Sequence, residues 1–107
     1  MSNDDSGTPA AGGEPGQGLD MARVRQLIGD LERELSRTDP RSADVQALRE
    51  EVATLREHVE SPHRRHGWIR DSLHGLRVRI EKTAGPAGDE LRRDGLFLTE
   101  IGRILGL

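Results

Sequence analysis

Apolar residues recur along residues 20–60 in two matched stripes. Met21, Val24, Ile28, Leu31 and Leu35 form the first, and Val45, Leu48, Val52, Leu55 and Val59 form the second. Steps of three and four place such residues on one side of an α-helix. Between the stripes stands Thr38-Asp39-Pro40, a stop followed by a restart. The pattern predicts an antiparallel helical hairpin. Its strict seam and Arg/Glu flanks are of coiled-coil type, but each stripe covers only about two heptads, too short for a free-standing rod.

The first helix is expected from the Asp20 N-cap to about Arg37, roughly 27 Å at ~1.5 Å per residue. Leu27 widens its seam. Gly29 costs up to ~1 kcal/mol relative to Ala. It lies beside Ile28, so it either admits a neighbouring helix or is tolerated at the surface. The second helix has two possible starts, Asp39 with Pro40 in the first turn, or Ser42 with Val45 in the first turn. Ser61-Pro62 ends it.

A third helix is predicted from about Gly67 to Thr83 on Ile69, Leu73, Leu76 and Ile80. Trp68 lies a quarter turn off that stripe, and Val78 falls on the exposed side. Gly75 weakens the helix centre. Gly85-Pro86 breaks the chain again, and a fourth helix begins near Pro86 on Ala87, Leu91, Leu98, Ile101 and Leu105. The same stripe puts Asp94 in the seam, where an unpaired acid is costly. Two alternatives stay open: a continuous helix, or a break at Asp94-Gly95 with Asp94 capping a final helix over 96–105. Leu96, Phe97, Leu98, Ile101, Ile104 and Leu105 are apolar over more than half the circumference, so this segment must be buried in the bundle or in a partner.

Composition narrows the fold. A chain of 107 residues holds one domain at most. Residues 1–18 are rich in Gly and Pro, acidic and without periodicity, and are expected to form a disordered arm ahead of a helical bundle domain over 19–107. The arm has neither the basic start nor the apolar run of a secretory signal. No stretch of the chain is apolar enough to span a bilayer. Hydrophobic residues make up 33%, against the usual ~45–50% on a scale that also counts Gly. Trp68 and Phe97 are the only aromatics. The expected fold is therefore all-α, a hairpin and two further helices in a small bundle, thinly packed or completed by a second copy. Without cysteine there is no disulfide or thiolate metal site, which fits a cytoplasmic protein.

Charge adds an asymmetry. Residues 1–18 carry three acids and no base, residues 19–60 seven bases against ten acids, and residues 61–107 nine bases against six acids. The basic back half can meet the acidic front half of its own molecule or an acidic partner. Lys82 is the only lysine, so arginine supplies nearly all the positive charge.

Candidate chemistry is sparse. His63 and His66 are three apart, but they sit in a loop between arginines without further ligands, which does not make a zinc site. Arg64, Arg65, Arg70, Arg77 and Arg79 form a basic edge on the third helix, suited to phosphates by charge alone but without aromatics interleaved for stacking. Leu98-Thr99-Glu100-Ile101-Gly102-Arg103-Ile104-Leu105-Gly106 resembles the first helix and turn of a helix-turn-helix. No recognition helix follows before Leu107, so the segment is expected to be an amphipathic helix ending in Gly. No nucleophile–base pair, phosphate loop or isolated carboxylate pair stands out, so an enzyme, and with it any cofactor, is not expected. Arg103 is too little positive charge for an interfacial membrane helix.

Leu27, Leu31, Glu34, Leu35, Asp39, Pro40, Leu48, Leu55, Leu73, Leu76, Glu81, Pro86 and the closing Gly106-Leu107 resemble a family of small bacterial all-helical proteins of unknown function. The likeness covers residues 27–107. Gly85 stands where that family commonly has His, with one more residue between Glu81 and Pro86. The resemblance implies an all-helical fold and no activity or site. The expected role is a non-catalytic interaction or scaffold protein that self-associates, as a dimer, or binds another helical protein, through Leu31, Leu55, Trp68, Phe97 and Ile101. The alternative is a nucleic-acid-associated regulator using the basic edge.

Overall fold

The computed structural model describes residues 19–63 and 65–107. The acidic arm over 1–18 and Arg64 of the basic edge lie outside the described residues. The rest forms five helices and, among the described residues, no strand: α1 (Met21–Leu35), α2 (Ala43–Glu60), α3 (His66–Lys82), α4 (Gly85–Arg92) and α5 (Leu96–Leu105).

The hairpin forms as its spacing requires. Asp20 caps α1, its side chain accepting from the Arg23 N–H at 3.2 Å. Of the two possible starts for α2, the chain uses Ser42, whose Oγ accepts from the Val45 N–H at 3.3 Å. Asp39 instead accepts from the Arg41 N–H and shapes the turn. Helix α1 stops at Leu35, two residues short of expectation, because the Arg37 and Thr38 amides bond three residues back and tighten the last turn. The Arg49 side chain reaches the Leu35 carbonyl and Arg56 reaches Glu32. Residue numbers rise on α2 as they fall on α1, so the pair is antiparallel. The same test holds for α2 and α3, where His58 faces Trp68 and the Glu51 carboxylate approaches Gly75.

Helices α1, α2, α3 and α5 form a closed ring in which each touches the next, and α4 lies on α3 and α5. Val24, Ile28, Leu31 and Leu35 of the first stripe, all of the second, and Ile69, Leu73, Leu76 and Ile80 are buried. Leu91, Ile101, Ile104 and Leu105 complete one core, with Met21, Ala87, Phe97 and Leu98 packed on its margin. The seams that suggested a second copy are thus filled by the chain's own α3 and α5.

The fourth predicted helix is broken. Asp94 (φ 60°, ψ 6°) and Gly95 (φ 64°, ψ 18°) are both left-handed, and the Leu96 N–H bonds the Arg93 carbonyl. This is the geometry of a type I′ turn, which the Asp-Gly pair favours. Asp94 leaves the seam for solvent, which removes the cost of burying it. It does not cap α5, as the break alternative supposed; Gly95 stands at the cap and no side chain bonds there. At the other end of α5, Gly106 (φ 78°) is also left-handed. The Leu107 N–H bonds the Gly102 carbonyl at 2.8 Å and the Gly106 N–H bonds Arg103 at 3.2 Å. That pair of bonds is a Schellman stop.

Candidate functional site

The last carbonyls of a helix lack partners within it and carry partial negative charge. In three places an arginine from another helix supplies the donor. Arg49 of α2 donates to Leu35 at the end of α1, at 2.6 Å. Arg70 of α3 donates to Leu105 at the end of α5, at 3.1 Å. Arg92 of α4 donates through one nitrogen to Ile80, Glu81 and Thr83 at the end of α3, at 2.9, 3.3 and 2.8 Å. A planar guanidinium with five N–H groups suits such work better than a compact ammonium. The same fixing leaves the Arg49 and Arg70 Nε buried without a hydrogen-bond partner.

The Arg92 site depends on a missing side chain one turn earlier. A Cβ on Gly88 would fall 2.0 Å from the Thr83 carbonyl oxygen. Gly88 leaves room for that carbonyl and Arg92 bonds it. Thr83 is buried, and its hydroxyl donates to Arg79 at 2.8 Å. The Ala84 N–H then donates to Asp44 at the start of α2. Gly29 has nothing within 4 Å of its Cβ position, so none of the described helices packs against it.

These contacts divide the predicted basic edge. Arg70 faces α5. Arg65 stacks on Trp68, its guanidinium carbon 4.8 Å from a ring centroid, on the flank where Trp68 meets His58 of α2. Arg79 joins Glu50 and Glu51 of α2 around a shallow hollow on that same flank. Arg77 falls on the Arg70 flank by helical spacing. The cations of α3 therefore lie on two flanks rather than along one edge.

The predicted interaction residues also separate. Leu31, Leu55 and Ile101 have no exposed surface, so a partner meets them only if the bundle opens. Trp68 is 52% exposed, covered in part by Arg65 and by His58, whose ring lies 5.5 Å away. Phe97 is half-buried at the mouth of a groove between α1 and α5.

Two adjoining clefts open on that side of the bundle. One cleft of about 480 Å³ runs between Gln26, Asp30 and Arg33 of α1 and Leu96, Phe97 and Glu100 of α5. A second, of about 670 Å³, runs between the α1–α2 turn and the start of α4, with Ala84, Pro86 and Ala87 on its apolar side. They meet at Glu34 and Arg37. The opening exists because α4 packs on α3 and α5, with α1 left alongside. Sequence reasoning expects Leu96 to be buried in the bundle or in a partner, and the bundle leaves it 67% exposed. It missed Glu34, Asp44 and Glu90 as neighbours. Leu96 had a local signal, since the residue after an Asp-Gly turn starts a helix and its side chain need not face the core. The acids come from three elements and had none.

Glu32 is tied into an ion pair across the hairpin. Arg56 donates Nε and Nη2 to the two oxygens of Glu32 at 2.8 and 2.7 Å, which holds the Glu32 carboxyl below its ordinary range, against a smaller opposing effect of burial. Arg56 also bonds Glu60 at 2.9 Å, and the two acids together hold its proton more tightly than usual. This is an ion-pair link across the hairpin on an open surface. Among the described residues, no three His, Asp or Glu side chains gather as a metal ligand set, and no helix is long and apolar enough to cross a membrane.

No family model matches the chain, and neither the curated proteins nor the solved structures yield a match.

Proposed function

We propose that this chain is a non-catalytic protein–protein interaction module. One observation carries it. Among the described residues, nineteen apolar side chains are shut in the core, yet Trp68 and Leu96, like the terminal Leu107, stay half or more exposed. Tryptophan is enriched among interface anchors, and Leu96 sits with Phe97 in the lining of a cleft. The core is complete within one chain, so self-association, where it occurs, uses these surfaces and not the seams. The arginines support the same reading. Arg49, Arg70 and Arg92 hold helix ends, and Arg23, Arg33, Arg37, Arg56 and Arg93 pair with carboxylates. Of the predicted basic edge, Arg70 serves the end of α5 while Arg65 and Arg79 lie on the opposite flank of α3, an arrangement poorly suited to following one phosphate backbone.

The test is site-specific photocrosslinking in cells. Benzoylphenylalanine at position 68 or 96 is expected to give a discrete adduct, and the same group at exposed Gln46 on α2 to give none. No adduct at either position would overturn the proposal. Binding to random duplex DNA at low salt would favour the nucleic-acid alternative instead.

A further inference from the structure

We infer that the two joined clefts along α1 take a basic amphipathic helix from another protein, with its apolar stripe laid against Leu96 and Phe97. This deepens the proposed function and rests on it. The first support is shape. The clefts follow α1 from Gln26 to Glu34, about 12 Å at ~1.5 Å per residue, and continue past its end along the α1–α2 turn, so together they exceed two helical turns. Most of their apolar lining, in Ala84, Pro86, Ala87, Leu96 and Phe97, lies opposite α1, which adds only Leu27. A narrow apolar strip beside a polar wall is the groove an amphipathic helix fits.

The second support is charge. The walls carry six carboxylates, from Asp30, Glu34, Asp39, Asp44, Glu90 and Glu100. Only Arg33 and Arg37 oppose them from within the clefts. Arg23, Arg41 and Arg93 pair with Glu100, Asp39 and Glu90 from outside the lining. The pairs of Asp30, Glu34 and Glu90 join residues three apart in sequence, and every arginine in them is about two-thirds or more exposed. Such surface pairs contribute ~1 kcal/mol or less and exchange readily for an incoming cation. Asp44 bonds a backbone N–H and has no cationic partner among the described ion pairs. The same charges disfavour residues 1–18 of this chain as the occupant, since that segment carries three acids and no base.

The probe is a fluorescent synthetic peptide of about three helical turns, with leucine at 3–4 spacing and lysine elsewhere, beside a twin with glutamate for every lysine. The lysine peptide is expected to bind the full chain, more weakly as salt rises, and the glutamate twin is expected not to bind. Leu96→Ser and Glu90→Lys should each weaken binding by about tenfold, with unchanged helicity. Val78→Ser, which removes an exposed apolar group elsewhere on α3, should leave it unchanged. Equal binding of both peptides, or a Leu96→Ser variant that binds normally, would overturn the inference. Sedimentation showing a dimer that Leu96→Ser dissociates would also overturn it, by making a second copy the occupant. If the peptide fails while crosslinks at Trp68 persist, the groove is wrong and the interaction module stands; if crosslinks fail at both positions, the module itself is wrong.

Discussion

The hairpin and the back half bury the same kinds of side chain but finish their helices differently. Helices α1 and α2 begin on their own caps, Asp20 and Ser42, each bonding an amide three residues on. Helices α3, α4 and α5 have no side-chain N-cap bond. Beyond the local Schellman stop of α5, their ends also draw on residues elsewhere in the sequence. Thr83 is met by Arg92 nine residues on, Ala84 by Asp44 forty residues back, and Leu105 by Arg70 thirty-five residues back. The hairpin borrows once, from Arg49. Local caps let a helix begin before its neighbours arrive, whereas contacts at a distance form only as the fold closes. The back half should therefore be the part that fails first.

The largest test of that difference is Gly88→Ala. The new methyl would meet a backbone carbonyl at 2.0 Å, and backbone cannot swing aside as a side-chain tip can. Overpacking of this kind costs ~1–3 kcal/mol or more, and here it also pushes Thr83 off Arg92. We expect a lower urea midpoint and faster hydrogen exchange at α4 amides, while α1 and α2 amides keep their order of protection. If α1 loses protection first, the two halves do not differ in the way described.

Arg92→Met sharpens the comparison. It keeps an aliphatic stem of similar length and removes the donor shared by three carbonyls. Bonds from a charged donor to partly buried acceptors are worth ~1.5–3 kcal/mol. Arg49→Met removes one such bond at the hairpin, and it also removes a buried Nε that has no partner. Its net cost should be under ~1 kcal/mol, because an unsatisfied buried donor is itself destabilising. Chemical denaturation of the two variants side by side checks the ranking. A larger loss at Arg49 would reverse it.

The same contrast explains what could be read from the residues alone. The seams and the four helical segments follow from spacing, caps and turn chemistry in a few neighbouring residues, whereas those signals leave two alternatives each for the start of α2 and for the chain at Asp94-Gly95. Leu31, Leu55 and Ile101 were recognisable as apolar and important, but not as core instead of interface. That distinction depends on whether α3 and α5 reach over the hairpin. Arg70 and Arg77 looked like one edge with Arg65 and Arg79. Their flanks follow from helical spacing, but the carbonyl that Arg70 serves belongs to a helix thirty-five residues on. The groove is the least legible feature, since its walls join α1, the α1–α2 turn, α4 and α5.

Gly29→Ala probes the hairpin in the opposite direction. Nothing lies within 4 Å of the new methyl, and the position is inside α1. Alanine should stabilise the protein by up to ~1 kcal/mol through helix propensity and a less flexible unfolded chain. A raised thermal midpoint with unchanged helix content is the expected result. A loss would mean that another surface approaches α1 there.

The smallest expected effect is the pH dependence of the link across the hairpin. Arg56 holds the folded Glu32 carboxyl below its unfolded value. Such a group contributes stability at pH above the unfolded carboxylate range, and the contribution is lost as pH falls through the folded value. Both side chains are about two-fifths exposed, so solvent and salt screen the pair and the effect is modest. Glu32→Gln should lower the urea midpoint slightly near neutral pH. The gap to the parent chain should close on acidification and also when salt is added at neutral pH. Arg56→Lys keeps the charge but loses the two-pronged contact, and it should recover only part of the gap. A gap that persists in acid would show that Glu32 acts through packing of its stem, and that the hairpin, like the back half, relies on shape more than on charge.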